Sequence, residues 1–492
     1  MSLGSVDANE AITVCLTQPG SDGKASLYEF HPKFTYPIFG EAEQIFGYKD
    51  LKIDIKFSAY EHKPHIQVRA GKKFVPVGST KALDIESTLQ DFLPPSAFEK
   101  TYDDIQQHEE GSKDWTPPGK LVQQYTRSGK EYEIWAGSLL DPVVRRLLDN
   151  VQILILFFIE GGQFINLDDV DWTLDRWRVY FVYEKAADRP NPFTTPYCLV
   201  GYATTYRFYK FSVPKSRSAT TALEFYPPPD EIKPTQLSSR LRISQFLILP
   251  PFQRGGHGSA LYQAVYSEVI ADPTITEMTV EDPSEEFDKL RDVNDWKVLE
   301  PAFRAANVRI NNRPFPSNTR IKRVPTSRLL PLDTLRTIRM ANKIASRQFA
   351  RQVEMYLLSL VPFSHRANGG ANMSKIIVQK SKASNADDRC YYWWRVLLKQ
   401  RIIKKNKDLL SQLPLEERFP QIDDSARAQE DEYEGLLAAI VDKVLSGNGD
   451  ANGSSLEPGP SPAAPRKRKI IEDDDEDDDD DGGIVAAKRP KA

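Results

Sequence analysis

Residues 242–258 read Arg242-Ile-Ser-Gln-Phe-Leu-Ile-Leu-Pro-Pro-Phe-Gln-Arg-Gly-Gly-His-Gly258. An apolar strand, Arg242 to Leu249, runs into two prolines, then into a glycine cluster that opens a helix from His257 to Ala271, and a second strand follows from Ile275 to Glu281. Glycine lets the backbone turn tightly and approach a ligand with no Cβ in the way. The unpaired N–H groups of a first helical turn, at the positive end of the helix dipole, then form a nest suited to a pyrophosphate. A P-loop requires Gly-Lys-Ser/Thr where this chain has Gly258-Ser259-Ala260, and the glycine spacing does not fit GxGxxG. Pro250 and Pro251 donate no ladder hydrogen bond, so the strand is expected to part from a neighbour there. Backbone groups from Phe246 to Ile248 would then be open to an extended amide-bearing ligand. An edge strand ending at a proline turn reads the same way.

The second strand ends Thr279-Val-Glu-Asp-Pro283. A nucleophile that is protonated at pH 7 must first lose a proton. A carboxylate held at a strand end can accept that proton. Glu281 and Asp282 are placed for this, although acidic residues in an exposed turn look identical. Glu160, which closes the apolar run Ile153 to Ile159, is a third candidate, or simply the wet end of a buried segment.

Elsewhere, residues 1–125 mix short alternating segments such as Leu51 to Phe57 and His65 to Arg69 with turns, as in a small α+β domain. Val143 to Phe158 reads as a helix, and Trp177 to Tyr183 and Tyr197 to Tyr202 as strands. Beyond Pro301 the pattern turns helical, with amphipathic stretches Arg328 to Leu360 and Tyr391 to Gln412. Val213 to Ser239 and Ser364 to Asp388 read as polar insertions, and residues 446–492 as a disordered charged tail. The expected layout is an N-terminal α+β domain (1–125), a catalytic domain (126–305), a C-terminal helical domain (306–445) and the tail (446–492).

Residues 451–492 hold 11 acidic and 7 basic side chains and so carry the whole net charge of −4, leaving residues 1–450 neutral. A neutral body lacks the basic footprint of phosphate-backbone binding, so no direct nucleic-acid contact is expected. The longest apolar run falls far short of a bilayer span, so no membrane insertion is expected either. Cys15, Cys198 and Cys390 form no CxxC pair, which argues against a thiolate zinc site or disulfide framework and for a reducing compartment. Arg466 to Lys469 and Lys488 to Lys491 flank the acidic run Glu472 to Asp481; the basic tetrads read as nuclear import signals or as solubilising charge. Nucleus and cytoplasm are the expected compartments.

Gln253, Gly256 and Gly258 match the Q/R-x-x-G-x-G/A loop of the GCN5-related N-acetyltransferase superfamily in order. The run 242–258, with Thr279 to Pro283, Phe39-Gly-Glu-Ala-Glu43, Phe158-Ile-Glu160, Phe164 to Asp169 and Trp172, resembles the catalytic subunits of type B histone acetyltransferases. The resemblance covers most of residues 30–300 and continues more loosely through the C-terminal helices. It implies an α+β fold with a mixed, splayed sheet flanked by helices, and acetyl-CoA as co-substrate without a metal. Carried over, Phe246, Leu247 and Ile248 would contact acetyl-CoA through the backbone. Gln253, Arg254, Gly255, Gly256, His257, Gly258 and Ser259 would hold the pyrophosphate, and Ser284 would lie near the cofactor. Glu281 would be the general base, supported by Glu160 and Asp282. The implied substrate is the N-terminal tail of histone H4, accompanied by H3, met by Glu41, Ala42, Glu43, Trp172, Tyr206, Arg207 and Phe208. Acidic and aromatic groups suit a basic tail. The implied partner is a WD40-repeat histone chaperone. A small-molecule acetyltransferase of the same fold and a non-catalytic histone chaperone are the competing readings.

Overall fold

The computed structural model describes residues 4–18, 26–99, 112–167, 173–187, 194–210, 237–315, 324–369 and 383–445. Trp172, the tail and most of both polar insertions lie outside them.

The first sheet is built from Ile12–Thr17 (β1), Ser26–Phe30 (β2), Lys52–Ser58 (β3) and Pro64–Arg69 (β4), in the order β2-β1-β3-β4 with β1 and β3 parallel. Next come Lys120–Arg127 (β5) and Lys130–Ser138 (β6), an antiparallel hairpin whose turn residues Ser128 and Gly129 both have positive φ. Two left-handed residues match the right-handed twist of the strands. The domain boundary expected at residue 125 falls inside β5.

Pro142–Val151 (α1), capped by the Asp141 carboxylate on the Val143 N–H at 2.8 Å, is followed directly by Ile153–Phe158 (α2). The single expected helix is divided at Gln152, whose side-chain oxygen accepts from the Ile165 N–H at 2.7 Å. Trp177–Lys185 (β7), Tyr197–Tyr209 (β8) and Ser239–Ile248 (β9) lead into His257–Ala271 (α3), Ile275–Val280 (β10) and Glu285–Ala305 (α4). The main sheet has the order β10-β9-β8-β7-β6-β5. Every neighbouring pair is antiparallel except β9 and β10, which are parallel because α3 forms the crossover between them. The mixed α+β class is as expected.

One apolar core joins both sheets with α1, α2 and α3. A second gathers the end of α4, Leu332–Asn342 (α5), Ser346–Ser359 (α6), Ala386–Lys405 (α7) and Leu415–Leu445 (α8) around Phe303, Tyr391, Trp394 and Tyr433. The stretch read as one amphipathic segment from Arg328 breaks between α5 and α6 at Lys343, which adopts φ +52°. Its ammonium donates to the carbonyls of Val269 and Asp272 at the end of α3, at 2.8 and 2.6 Å. The cation thereby satisfies orphan carbonyls at a negative helix end and ties the second core to the crossover helix.

Candidate active site

The pairing of β9 with β10 ends at Ile243 and Val280, with one more rung from the Glu281 N–H to the Ile243 carbonyl at 2.9 Å. On its other side β9 stays paired with β8 as far as Ile248. The open edge therefore faces β10, and it is produced by the early end of β10. Ser244 is an extra residue in β9, since Thr205 faces Ile243 and Thr204 faces Gln245. Such a bulge reverses the alternation of backbone groups downstream. The Gln245 N–H turns to Thr204 Oγ1 (3.1 Å) and the Leu249 N–H to the Val200 carbonyl (2.9 Å), both toward β8. By alternation the groups of Phe246 and Ile248 face the open edge, while those of Leu247 face β8 and its side chain is core. Leu247, expected to contact the cofactor through its backbone, has its side chain in the core.

At the head of α3 the chain passes through Gln253, Arg254 at φ +64° and Gly256 at φ +82°, with no side chain capping the helix. Gln253, Arg254, Gly255 and Gly256 are all exposed, so the nest opens to solvent. Gln253 donates its amide to the Ile248 carbonyl at 2.9 Å, bridging nest and open strand edge. A Cβ on Gly258 would meet Leu290 Cδ1 at 2.7 Å, so this glycine serves close packing of α3 on α4. Ser259 Oγ accepts from Asn294 of α4 at 3.1 Å. Ser284 is occupied as the N-cap of α4, accepting from the Phe287 N–H at 3.2 Å.

The His257 side chain turns inward against the loop, its Nε2 2.8 Å from where a Cβ on Gly255 would sit. It is buried against Tyr132, with ring centroids 4.4 Å apart, and its Nδ1 lies 2.9 Å from the Tyr125 hydroxyl. Burial, with the Arg127 charge adding, pushes the imidazole down to about 4. Arg127 was not foreseen: its Nε lies 3.4 Å from where a Cβ on Gly256 would sit. It reaches the nest from the end of β5, a placement with no local sequence signal.

Glu281 follows β10 and is exposed. One carboxylate oxygen accepts from the Ser244 hydroxyl, and the other lies 3.8 Å from Arg242 Nη1. Asp282, exposed at φ +31°, follows it. Glu160 is also exposed, at the end of α2. Two residues after it, Gly162 packs its Cα against Ile155, and the carbonyl of Gln163 accepts from the Gln245 amide at 2.9 Å. Glu281 is held by Ser244 and the Glu160 turn by Gln245, so both acidic segments fasten to adjacent residues of the bulge.

The family model described as "Histone acetyl transferase HAT1 N-terminus" matches residues 4–160. The chain is 45% identical to the histone acetyltransferase type B catalytic subunit of Aspergillus oryzae, across 92% of this chain and 89% of that one. For the proteins of the same name from Aspergillus fumigatus and Emericella nidulans the identities are 45% and 44%, over 89% and 88% of this chain and 77% and 88% of theirs. The chain belongs to the histone acetyltransferase type B catalytic subunits. It is therefore an acetyl-transferring enzyme. A solved aminoglycoside acetyltransferase from a soil metagenomic sample aligns with 39% of this chain and 95% of its own at 12% identity, with a TM-score of 0.19, too low to carry an argument.

For this type B subunit the positions expected to meet substrate divide. Tyr206 and Phe208 lie on one face of β8, their rings 4.6 Å apart, and Phe208 stacks under Arg242 at 4.5 Å, which connects them to Glu281. Arg207 alternates to the other face, where its guanidinium pairs with Asp272 at 2.5 Å. Glu41 and Ala42 are exposed. The Glu43 carboxylate instead accepts from the N–H groups of Thr35 and Tyr36, at 2.6 and 3.0 Å, and is spent on the local turn. Tyr36 in turn accepts from the Gly161 N–H at 2.8 Å, which places the Glu41–Glu43 turn beside Glu160. Trp172 lies outside the described residues.

Proposed function

We propose that the chain transfers acetyl from acetyl-CoA to lysine side chains in the N-terminal tail of histone H4, by direct attack of the amine within a ternary complex. The observation that carries this reading is the open edge of β9. The glycine nest lies at one end of it, Phe246 and Ile248 turn their backbone groups outward along it, and Ser244 holds Glu281 at the other end.

The exposed, uncapped nest with Arg127 at its rim suits a pyrophosphate, and the outward backbone groups suit the amides of pantetheine. The co-substrate supplies a thioester. Glu281 accepts the proton of the incoming ammonium; the freed amine forms the new C–N bond at the thioester carbonyl, and the C–S bond breaks, the second N–H proton passing to the departing CoA thiolate. Ser244 and Arg242 fix the direction of the carboxylate, while Asp282 and Glu160 add negative charge around the ammonium. Burial pushes the Cys15 thiol up to about 12 and the Cys198 thiol higher still, so neither is a ready acyl carrier.

Glu41, Tyr206 and Phe208 would line the path of a basic tail. The GCN5-related fold, a WD40-repeat chaperone partner that presents H4 with H3, and residence in nucleus and cytoplasm belong to the same proposal. Steady-state acetylation of an H4 tail peptide against free spermidine tests it. A kcat/KM for the peptide about 10²-fold or more above that for the polyamine is expected; equal values would assign a small-molecule enzyme.

A further inference from the structure

The helical region carries a crowd of cations that the acetyl-transfer chemistry does not use. Arg347 and Arg351 stand one turn apart on α6, and Arg401 and Lys405 one turn apart on α7. The two helices run antiparallel, since Ala367, just beyond α6, donates to the hydroxyl of Tyr391 near the start of α7 at 3.1 Å. Arg351 and Arg401 therefore meet, both donating to Gln429 Oε1 at 3.1 Å. By the same antiparallel register Arg347 stands opposite Lys405 one turn further out, and it is the strongest of the charges acting on that lysine.

The inner cations are neutralised. Arg351 pairs with Asp292 and Glu432 at 2.5 and 3.0 Å, and Arg401 with Glu354 at 2.8 Å. Arg291, which reaches the cluster from the second turn of α4, pairs with Asp288 at 2.7 Å. Arg347 and Lys405 form no ion pair or hydrogen bond among the described residues, and Asp288, the acid acting on both, is already committed to Arg291. Both residues are exposed. Partial burial, followed by repulsion from Arg347, Arg401 and Arg351, pushes Lys405 down to about 8. Two like charges facing one another with no paired counter-ion among the described residues are a local instability that a bound dianion removes.

We propose that Arg347 and Lys405, backed by Arg291, form a binding site for a phosphate group. A planar guanidinium opposite an ammonium offers the forked and point donors that phosphate oxygens accept. The phosphate could belong to the acetyl-CoA molecule, because α4 packs its Leu290 and Asn294 against the first turn of α3. It could equally belong to a separate ligand.

The test titrates inorganic pyrophosphate into the full chain with and without acetyl-CoA, and compares affinities for acetyl-CoA and acetyl-3′-dephospho-CoA, for wild type, Arg347→Ala, Lys405→Ala and Lys405→Arg. A separate ligand predicts pyrophosphate binding that persists with acetyl-CoA present and weakens about tenfold in both alanine variants but not in Lys405→Arg. The cofactor's own 3′-phosphate predicts about tenfold weaker acetyl-CoA binding in the alanine variants, with acetyl-3′-dephospho-CoA unchanged. This second arm rests on the acetyl-CoA reading; a wild type that binds no acetyl-CoA would defeat that reading and leave the pyrophosphate arm intact. If neither affinity changes by more than about twofold in any variant, the cations are only solvated charge and the site is overturned.

Discussion

Replacing Glu281 by glutamine isolates the step that separates an acetyltransferase from a cofactor-binding scaffold. The substitution keeps shape and leaves the backbone rung to Ile243 intact, and the amide oxygen can still accept from the Ser244 hydroxyl. What disappears is the negative charge, together with the 3.8 Å attraction to Arg242. The exposed carboxylate contributes little to folding, so the variant should be as stable as the parent. A lysine with an ordinary pKa near 10.4 pays about 4.6 kcal/mol to present a neutral amine at pH 7, and a positioned base typically returns about 10²- to 10⁴-fold in rate. The expected result is a fall in kcat of about 10²-fold or more, with acetyl-CoA affinity within about twofold, because the nest is untouched. Initial rates of CoA release, with H4 peptide and acetyl-CoA both saturating, measure it. Residual turnover should climb about tenfold per pH unit between pH 7 and 9, as solvent takes over deprotonation of the lysine. A kcat within about threefold of wild type, with an unchanged pH profile, would refute the assignment and direct the same substitution to Glu160 and Asp282.

Gly256→Val forces a β-branched side chain into φ +82° and directs its Cβ at Arg127, 3.4 Å away, across the mouth of the nest. Calorimetry should show acetyl-CoA affinity reduced about tenfold or more in a variant whose circular dichroism is native, and unaltered affinity would remove the loop from the site. His257 predicts an acid transition of the fold. Its unfolded-state value lies near 6.5 and its folded value at about 4, so the unfolded chain takes up the proton first. The neutral, buried imidazole costs no stability above pH 6.5, and up to about 3 kcal/mol is lost as pH falls from 6.5 to 4. Urea melts of His257→Gln should show a flatter dependence over that window, and profiles parallel to wild type would contradict the burial argument.

The strand–glycine–helix–strand unit was legible because its signals are local. Period-two apolarity, two prolines, a glycine cluster and helical periodicity follow in order, and α3 occupies the expected His257 to Ala271. The hairpin of β5 and β6 was missed because Lys120 to Arg127 alternates mostly among polar residues and gains its apolar partners only from the sheet. The face that Arg207 takes is legible in its sequence, since strand alternation puts it opposite Tyr206 and Phe208. His257 misled because a polar residue between two glycines looks like a ligand, whereas Tyr125 and Tyr132, more than a hundred residues earlier, decide that it turns inward. The same distance in sequence hid Arg127. Nothing in Gly40 to Glu43 shows that Thr35 and Tyr36 would present two N–H groups to the Glu43 carboxylate.

Ser244 ties these separate outcomes together. Before it, the backbone of Ile243 faces β10 and anchors Glu281; after it, Gln245 faces β8, and Phe246 and Ile248 inherit the open edge. With no extra residue there, strict alternation would give the open edge to Gln245 and Leu247. The same one-residue shift would turn the Ser244 hydroxyl and the Gln245 amide away from Glu281 and from the Glu160 turn. An enzyme built on this strand therefore needs the bulge for two reasons at once: to select which peptide groups meet an extended ligand, and to hold carboxylates from two distant parts of the chain beside it. The glycine nest alone supplies a place for phosphate. In the proposed mechanism the bulge is what brings Glu281 within reach of the group that the phosphate tethers.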